Sequence, residues 1–135
     1  MTLFVLLTIA VFAYLFAGFD PFNFKKLVVS DQNYNGQVIY VDKVVLPKTG
    51  YVMISKIRFY EDSQVVFDDI FTAILEPGVH KRVEATYYSD NHGGKGLFGA
   101  TIFEDTNGNG IAEPREGDNQ LYINGRPVVE TFYLR

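Results

Sequence analysis

Apolar residues are spread along this 135-residue chain in two unlike ways. Residues 1–19, MTLFVLLTIAVFAYLFAGF, are apolar at 16 positions and carry no charge. On a helical projection those residues fall on every face, so the segment reads as a helix buried all round rather than an amphipathic one. At ~1.5 Å per residue it is long enough to cross about 30 Å of hydrocarbon. Phe4, Phe12, Tyr14, Phe16 and Phe19 are its large packing groups. Pro21 cannot continue a helix without a kink, so 19–24 reads as a hinge.

After residue 24 the period changes from that of a helix to that of a strand. Val38 and Tyr40 alternate with Ile39 and Val41, and Val, Ile, Tyr and Phe dominate the short runs that follow. Strands are expected at 27–30, 37–45, 51–60, 64–68, 71–75, 79–88, 97–103, 121–123 and 128–134. Turn chemistry separates them: Asn35-Gly36, Pro47-Lys48-Thr49-Gly50, Glu76-Pro77-Gly78, Asn91-His92-Gly93-Gly94 and Asn124-Gly125. The expected fold is mostly β, an immunoglobulin-like antiparallel β-sandwich of seven to nine strands preceded by one N-terminal hydrophobic α-helix. Its boundaries are 1–24 for the helix and 25–135 for the head. An antibody-type Cys…Trp…Cys core is excluded, because the chain has neither Cys nor Trp.

Composition narrows the function. The absence of Cys removes disulfide frameworks, thiol chemistry and zinc ribbons. With 12 Lys+Arg against 16 Asp+Glu there is no basic surplus for nucleic acid. The net charge of −4 has one address: residues 104–118 hold five acids against Arg115 alone, and the rest of the chain is balanced.

Four segments carry a family resemblance: Val38-Ile39-Tyr40-Val41-Asp42-Lys43-Val44 running to Pro47, Gly50-Tyr51-Val52-Met53-Ile54, Leu75-Glu76-Pro77-Gly78-Val79-His80, and Asp105-Thr106-Asn107-Gly108-Asn109-Gly110. In that order they make residues 26–135 resemble an uncharacterised domain of archaeal, and some bacterial, extracytoplasmic proteins. The resemblance implies a β-sandwich at the cell surface and no assigned chemistry.

Three readings of the N-terminal segment stand open. A cleaved signal would begin with Lys/Arg and end on a small-residue site, and Ala17-Gly18-Phe19-Asp20-Pro21 matches such a site poorly. A membrane anchor with an exported body would place its cations before the span, whereas Lys25 and Lys26 follow it. The third reading resembles mature archaeal-type, type IV pilins and flagellins, whose basic leader has been removed ahead of a hydrophobic helix. Val5 stands where many bacterial pilins have Glu, which archaeal-type pilins often lack. That resemblance implies a filament whose core is made of such helices.

The sharpest local motif begins at Asp105. Counting from it, oxygen-bearing side chains fall at positions 1, 3 and 5 (Asp105, Asn107, Asn109), and Gly110 at 6. A backbone ligand follows at 7 (Ile111), then Glu113 at 9 and Glu116 at 12. This is the spacing of a 12-residue calcium loop, in which alternate residues point inward and glycine permits the sharp turn. Because 97–103 reads as a strand, the loop would hold calcium outside an EF-hand. The same Asn-Gly pairs also suit a plain polar turn, although a turn has no need of carboxylates at both ends.

Other motifs carry no chemistry. Leu46-Pro47-Lys48-Thr49-Gly50 spells a sortase signal but precedes a strand, where Pro and Gly make a turn. His80 and His92 have no partner near in sequence, and no serine lies in a nucleophile elbow. Asp68 and Asp69, if in a strand, face opposite sides. Gly93-Gly94-Lys95-Gly96 lacks phosphate-loop spacing. The expectation is therefore a non-enzymatic, extracellular or cell-surface structural protein, a pilin-like filament subunit. It would assemble as a homo-oligomer through the N-terminal helix, associate with the membrane before assembly, and carry a calcium-stabilised loop. The alternative is a membrane-anchored domain that binds a surface partner.

Overall fold

A computed structural model describes residues 25–60, 63–88 and 95–135. Among them lie ten strands: β1 (Leu27–Val28), β2 (Val38–Leu46), β3 (Gly50–Tyr60), β4 (Ser63–Phe71), β5 (Gly78–Thr86), β6 (Gly96–Glu104), β7 (Asn119–Gln120), β8 (Tyr122–Ile123), β9 (Arg126–Pro127) and β10 (Val129–Leu134). One sheet has the order β1-β2-β5, and a larger one β10-β6-β3-β4 with β7 added beside β6. β8 and β9 form a separate hairpin. Every ladder between these strands is antiparallel. The chain changes sheet between β2 and β3, between β4 and β5, and between β5 and β6, so the two larger sheets are interlaced.

The fold class is all-β, which corrects the expected sandwich of seven to nine strands with a leading helix. The helix expected at 1–24 falls outside the described residues, and none of the described residues is helical. No helix among the described residues is long and apolar enough to cross a membrane. The strand count also differs, for local reasons. The expected strand 71–75 does not exist on its own, because β4 runs through Phe71 as one ladder against β3, with a one-residue register shift between Ile54 and Lys56. Residues 72–75 instead stitch the two sheets. The Thr72 N–H donates to the Val52 carbonyl at 3.0 Å, the Thr72 hydroxyl accepts from the Val52 N–H at 3.0 Å, and Thr72 also bridges Ala85 of β5. At the C-terminal end, Asn124-Gly125 folds 122–127 into the small hairpin, and Pro127 has no N–H to extend a ladder.

One hydrophobic cluster draws on both sheets. Ile39, Val41, Val44 and Leu46 come from β2, Val52 and Ile54 from β3, Phe98, Ala100 and Ile102 from β6, and Phe132 and Leu134 from β10. Each large side chain buried here is worth about 1.5–3 kcal/mol relative to exposure. Phe98 stacks on Phe132 with ring centres 5.8 Å apart. Along β2 the inward positions change phase between Val41 and Val44, in the register of Arg82 on β5, whose φ is +51°. Inner strands β3 and β6 are buried over most of their length, whereas β5 is largely exposed. Gly50 opens β3 at a point where a Cβ would collide with the Phe103 carbonyl oxygen of β6. Gly50 and Leu75 also exchange two backbone hydrogen bonds, of 3.1 and 2.7 Å. The tight backbone packing at this end of the domain forms the floor beneath the 105–118 loop.

Candidate functional site

β6 ends at Glu104, and the next residue is tied down at once. The Asp105 N–H donates to the Thr49 carbonyl at 2.9 Å, joining the start of the loop to the turn between β2 and β3. The Asp105 carboxylate then reaches forward, its Oδ2 accepting the Gly110 N–H at 2.9 Å. Inside that closure two Asn side chains hold the backbone two residues on. Asn107 Oδ1 accepts the Asn109 N–H at 3.3 Å, and Asn109 Oδ1 accepts the Ile111 N–H at 3.0 Å. These are the turns Asn side chains form locally, and Gly108 and Gly110, at φ +68° and +73°, supply the left-handed backbone between them.

The second half of the loop closes around Glu113. Its carbonyl accepts from the N–H groups of Glu116 and Asp118, both at 3.2 Å. Its carboxylate accepts a hydrogen bond from the Asn109 amide. Its own N–H donates to Asp118 Oδ2 at 2.7 Å. The same Asp118 oxygen accepts the Tyr51 hydroxyl at 2.8 Å. The Asn119 N–H donates to the Thr106 hydroxyl at 3.0 Å, which draws the two ends of the loop together before β7 pairs with β6.

Of the residues singled out by spacing, Asp105 is buried, Glu113 is half-buried, and Asn107, Asn109, Ile111 and Glu116 are exposed. Asp105, Asn107, Asn109 and Glu113 are joined by the bonds just described, whereas Glu116 contributes only its backbone N–H to them. Two residues that spacing did not single out complete the site: Asp118 and Tyr51. Asp118 was visible as an acid following Gly117 at the loop's end, two positions beyond the reach of the 12-residue pattern. Tyr51 lies far away in sequence, and no local signal points to it.

Electrostatically the two ends of the loop are alike. Asp105 and Asp118 are 9% and 6% exposed, and the Oδ1 atom of each is buried without a hydrogen-bond partner. Leaving a buried acceptor unsatisfied costs about 1–3 kcal/mol, and more for a charged group. The loop's only base, Arg115, is turned elsewhere, to Asp69 Oδ2 at 3.4 Å. Asp69 in turn accepts the Ser55 hydroxyl at 2.8 Å. Tyr51 is fully buried between Phe103, stacked at 5.8 Å, and Phe71, edge-on at 5.7 Å. Burial first, and then its bond to the Asp118 carboxylate, push the Tyr51 hydroxyl well above its usual pKa, with Asp105 adding to the rise. Both carboxylates therefore act on one hydroxyl.

His80 Nε2 bonds the Glu76 carbonyl at 2.7 Å across the turn that leads into β5. Residues 47–49 form the connection between β2 and β3, as the turn reading of the sortase-like letters expects. His92, Gly93 and Gly94 lie outside the described residues. An open cleft of about 290 Å³ lies between Asp69, Phe71 and residues 112–116. Among the described residues no group of three or more His, Cys, Asp or Glu converges to hold a metal, so any cation in this loop would need amide or backbone oxygens as well.

No curated protein and no solved structure matches the chain. Three of the four segments that carry the family resemblance meet at this end of the domain: Gly50 and Leu75 exchange paired backbone bonds, and Asp105 bonds Thr49, the residue before Gly50. The model of a family described as a domain of unknown function (DUF7282) matches residues 25–134, nearly the whole described domain, and the chain belongs to that family.

Proposed function

We propose that this chain is a non-enzymatic structural protein of the cell exterior, a subunit of a filament of the type IV pilin kind. In this reading the apolar segment 1–19 packs against the same segment of other copies, the β domain is displayed outside, and calcium braces the 105–118 loop. The observation that carries it is the joining of two opposites in one short chain: 19 uncharged residues, and a β domain whose net charge sits in a single loop. An uncharged stretch of that length is stable only when surrounded by groups as apolar as itself. Copies of the segment supply such surroundings in a filament. The calcium component is supported by the two buried carboxylates at the loop ends, each with an oxygen that lacks a donor.

Electron microscopy of the native protein tests the filament. Ordered helical polymers are the expected result. A protein that remains monomeric after extraction in detergent, with no polymer in native preparations, would overturn it and favour a membrane-anchored, partner-binding domain.

A further inference from the structure

The 12-residue spacing ends at Glu116, but the buried geometry ends at Asp118. Asp105 Oδ2 is occupied by the Gly110 N–H, and Asp118 Oδ2 by the Glu113 N–H and the Tyr51 hydroxyl. That leaves one oxygen on each carboxylate, Oδ1 in both, shut away from water with no donor facing it. Both side chains are more than nine-tenths buried. A donor-free oxygen on a buried carboxylate is suited to a cation, and a hard divalent ion prefers oxygen ligands and nothing softer. Glu116 offers no comparable group, since it is exposed and bonds through its backbone alone. Asn107 and Asn109 each use their side-chain oxygen once, for a backbone N–H, and an amide oxygen has a second lone pair to give.

We infer that loop 105–118 binds a hard divalent cation of the calcium class through Asp105 and Asp118, with Asp118 rather than Glu116 closing the site. This inference rests on the calcium reading of the loop and replaces its final ligand. It also assigns the ion a mechanical role. Asp105 follows β6, Asp118 precedes β7, and Tyr51 at the start of β3 is bonded to Asp118. An ion held by both carboxylates would therefore tie three strands of the larger sheet together. Arg115, which a bound cation would repel, already points away to Asp69.

Calorimetric titration of the full-length protein with calcium chloride, together with melting curves in calcium and in chelator, tests the assignment. The wild type is expected to bind one ion and to melt higher in calcium. Asp118→Asn keeps the side chain's shape and one acceptor for Tyr51 while removing the charge. It should weaken binding by on the order of 100-fold, since ligand charge sets affinity in such sites, and erase the calcium-dependent rise in melting temperature. Glu116→Gln should leave both within about threefold of wild type, as expected for an exposed side chain that is not a ligand. Tyr51→Phe, which leaves every carboxylate in place, should still bind, and the exposed Glu116→Gln keeps the test valid should Asp118→Asn fail to fold. Wild-type affinity in Asp118→Asn, or loss of binding in Glu116→Gln, would overturn the Asp118 assignment while leaving the calcium reading intact. A wild type that neither titrates with calcium nor shifts its melting would overturn both.

Discussion

Two Asn-Gly turns in this domain are made of the same residue types and stand in different surroundings. Asn124 and Gly125, at φ +54° and +75°, join β8 to β9 as a two-residue hairpin in which Ile123 pairs with Arg126. Everything in that hairpin is exposed. The 105–118 loop uses Asn107-Gly108 and Asn109-Gly110 for the same backbone purpose, then places a buried aspartate at each end. Left-handed backbone is all a turn requires, and the small hairpin obtains it without a single carboxylate. The buried acids of the larger loop each spend one oxygen on its backbone, at Gly110 and Glu113, and keep the other without a donor, which the small hairpin has no counterpart for.

The contrast can be broken most forcefully from beneath the larger loop. Gly50→Ala would drive a Cβ into the Phe103 carbonyl, a backbone atom that cannot swing aside, at a cost of about 3 kcal/mol or more. Urea unfolding measures it, and a loss under about 1 kcal/mol would mean that β3 and β6 can separate there at little cost. Tyr51→Phe comes next. It removes one of the two donors from a buried Asp118 oxygen and should cost about 1–3 kcal/mol in the same assay.

The same tyrosine predicts an alkaline limb. The unfolded phenol ionises near pH 10, whereas the folded one holds its proton to higher pH. Above about pH 10 the unfolded state therefore binds fewer protons than the folded one, and stability falls as pH rises. Unfolding measured in chelator should show that decline in the wild type, and Tyr51→Phe should lack this tyrosine's share of it.

Smaller effects sharpen the other side of the comparison. Gly125→Ala meets nothing within 4 Å and should cost only the left-handed backbone penalty, about 1 kcal/mol. The same substitution thus reports steric contact at Gly50 and conformation at Gly125. Arg115→Ala should change stability by less than about 0.5 kcal/mol, because its pairing with Asp69 is 3.4 Å long and the arginine side chain is 82% exposed. A larger loss would show that the Arg115 contact, rather than the buried acids, holds the second half of the loop.

Most of the β elements were legible in the chain, because alternation of apolar and polar residues is a local property that a half-buried strand imposes. The pattern placed β2, β3, β5, β6 and β10 within a few residues of their ends. It separated 64–68 from 71–75, since nothing local says that β4 continues past Asp69 or that Thr72 then crosses between sheets. It expected a strand at 121–123 and did not foresee β7 or β9, whose two-residue ladders depend on what lies beside them. The candidate loop was half legible. Asp105, Asn107, Asn109 and Glu113 follow a spacing, while Asp118 and Tyr51 belong to the site through contact alone.

The sequence by itself determined that the domain would be β, that its excess acidity would sit in one loop, and that Asn-Gly pairs would turn that loop, because strand period, charge and left-handed preference are properties of neighbouring residues. Tertiary structure alone decided which acids are buried. Desolvation of Asp105 and Asp118 depends on β3 lying beneath the loop, on Tyr51 reaching Asp118 across 67 residues, and on Asp105 being tied to Thr49. A carboxylate's cost and its chemistry are set by what surrounds it in space, and that is the part of this protein that spacing along the chain does not encode.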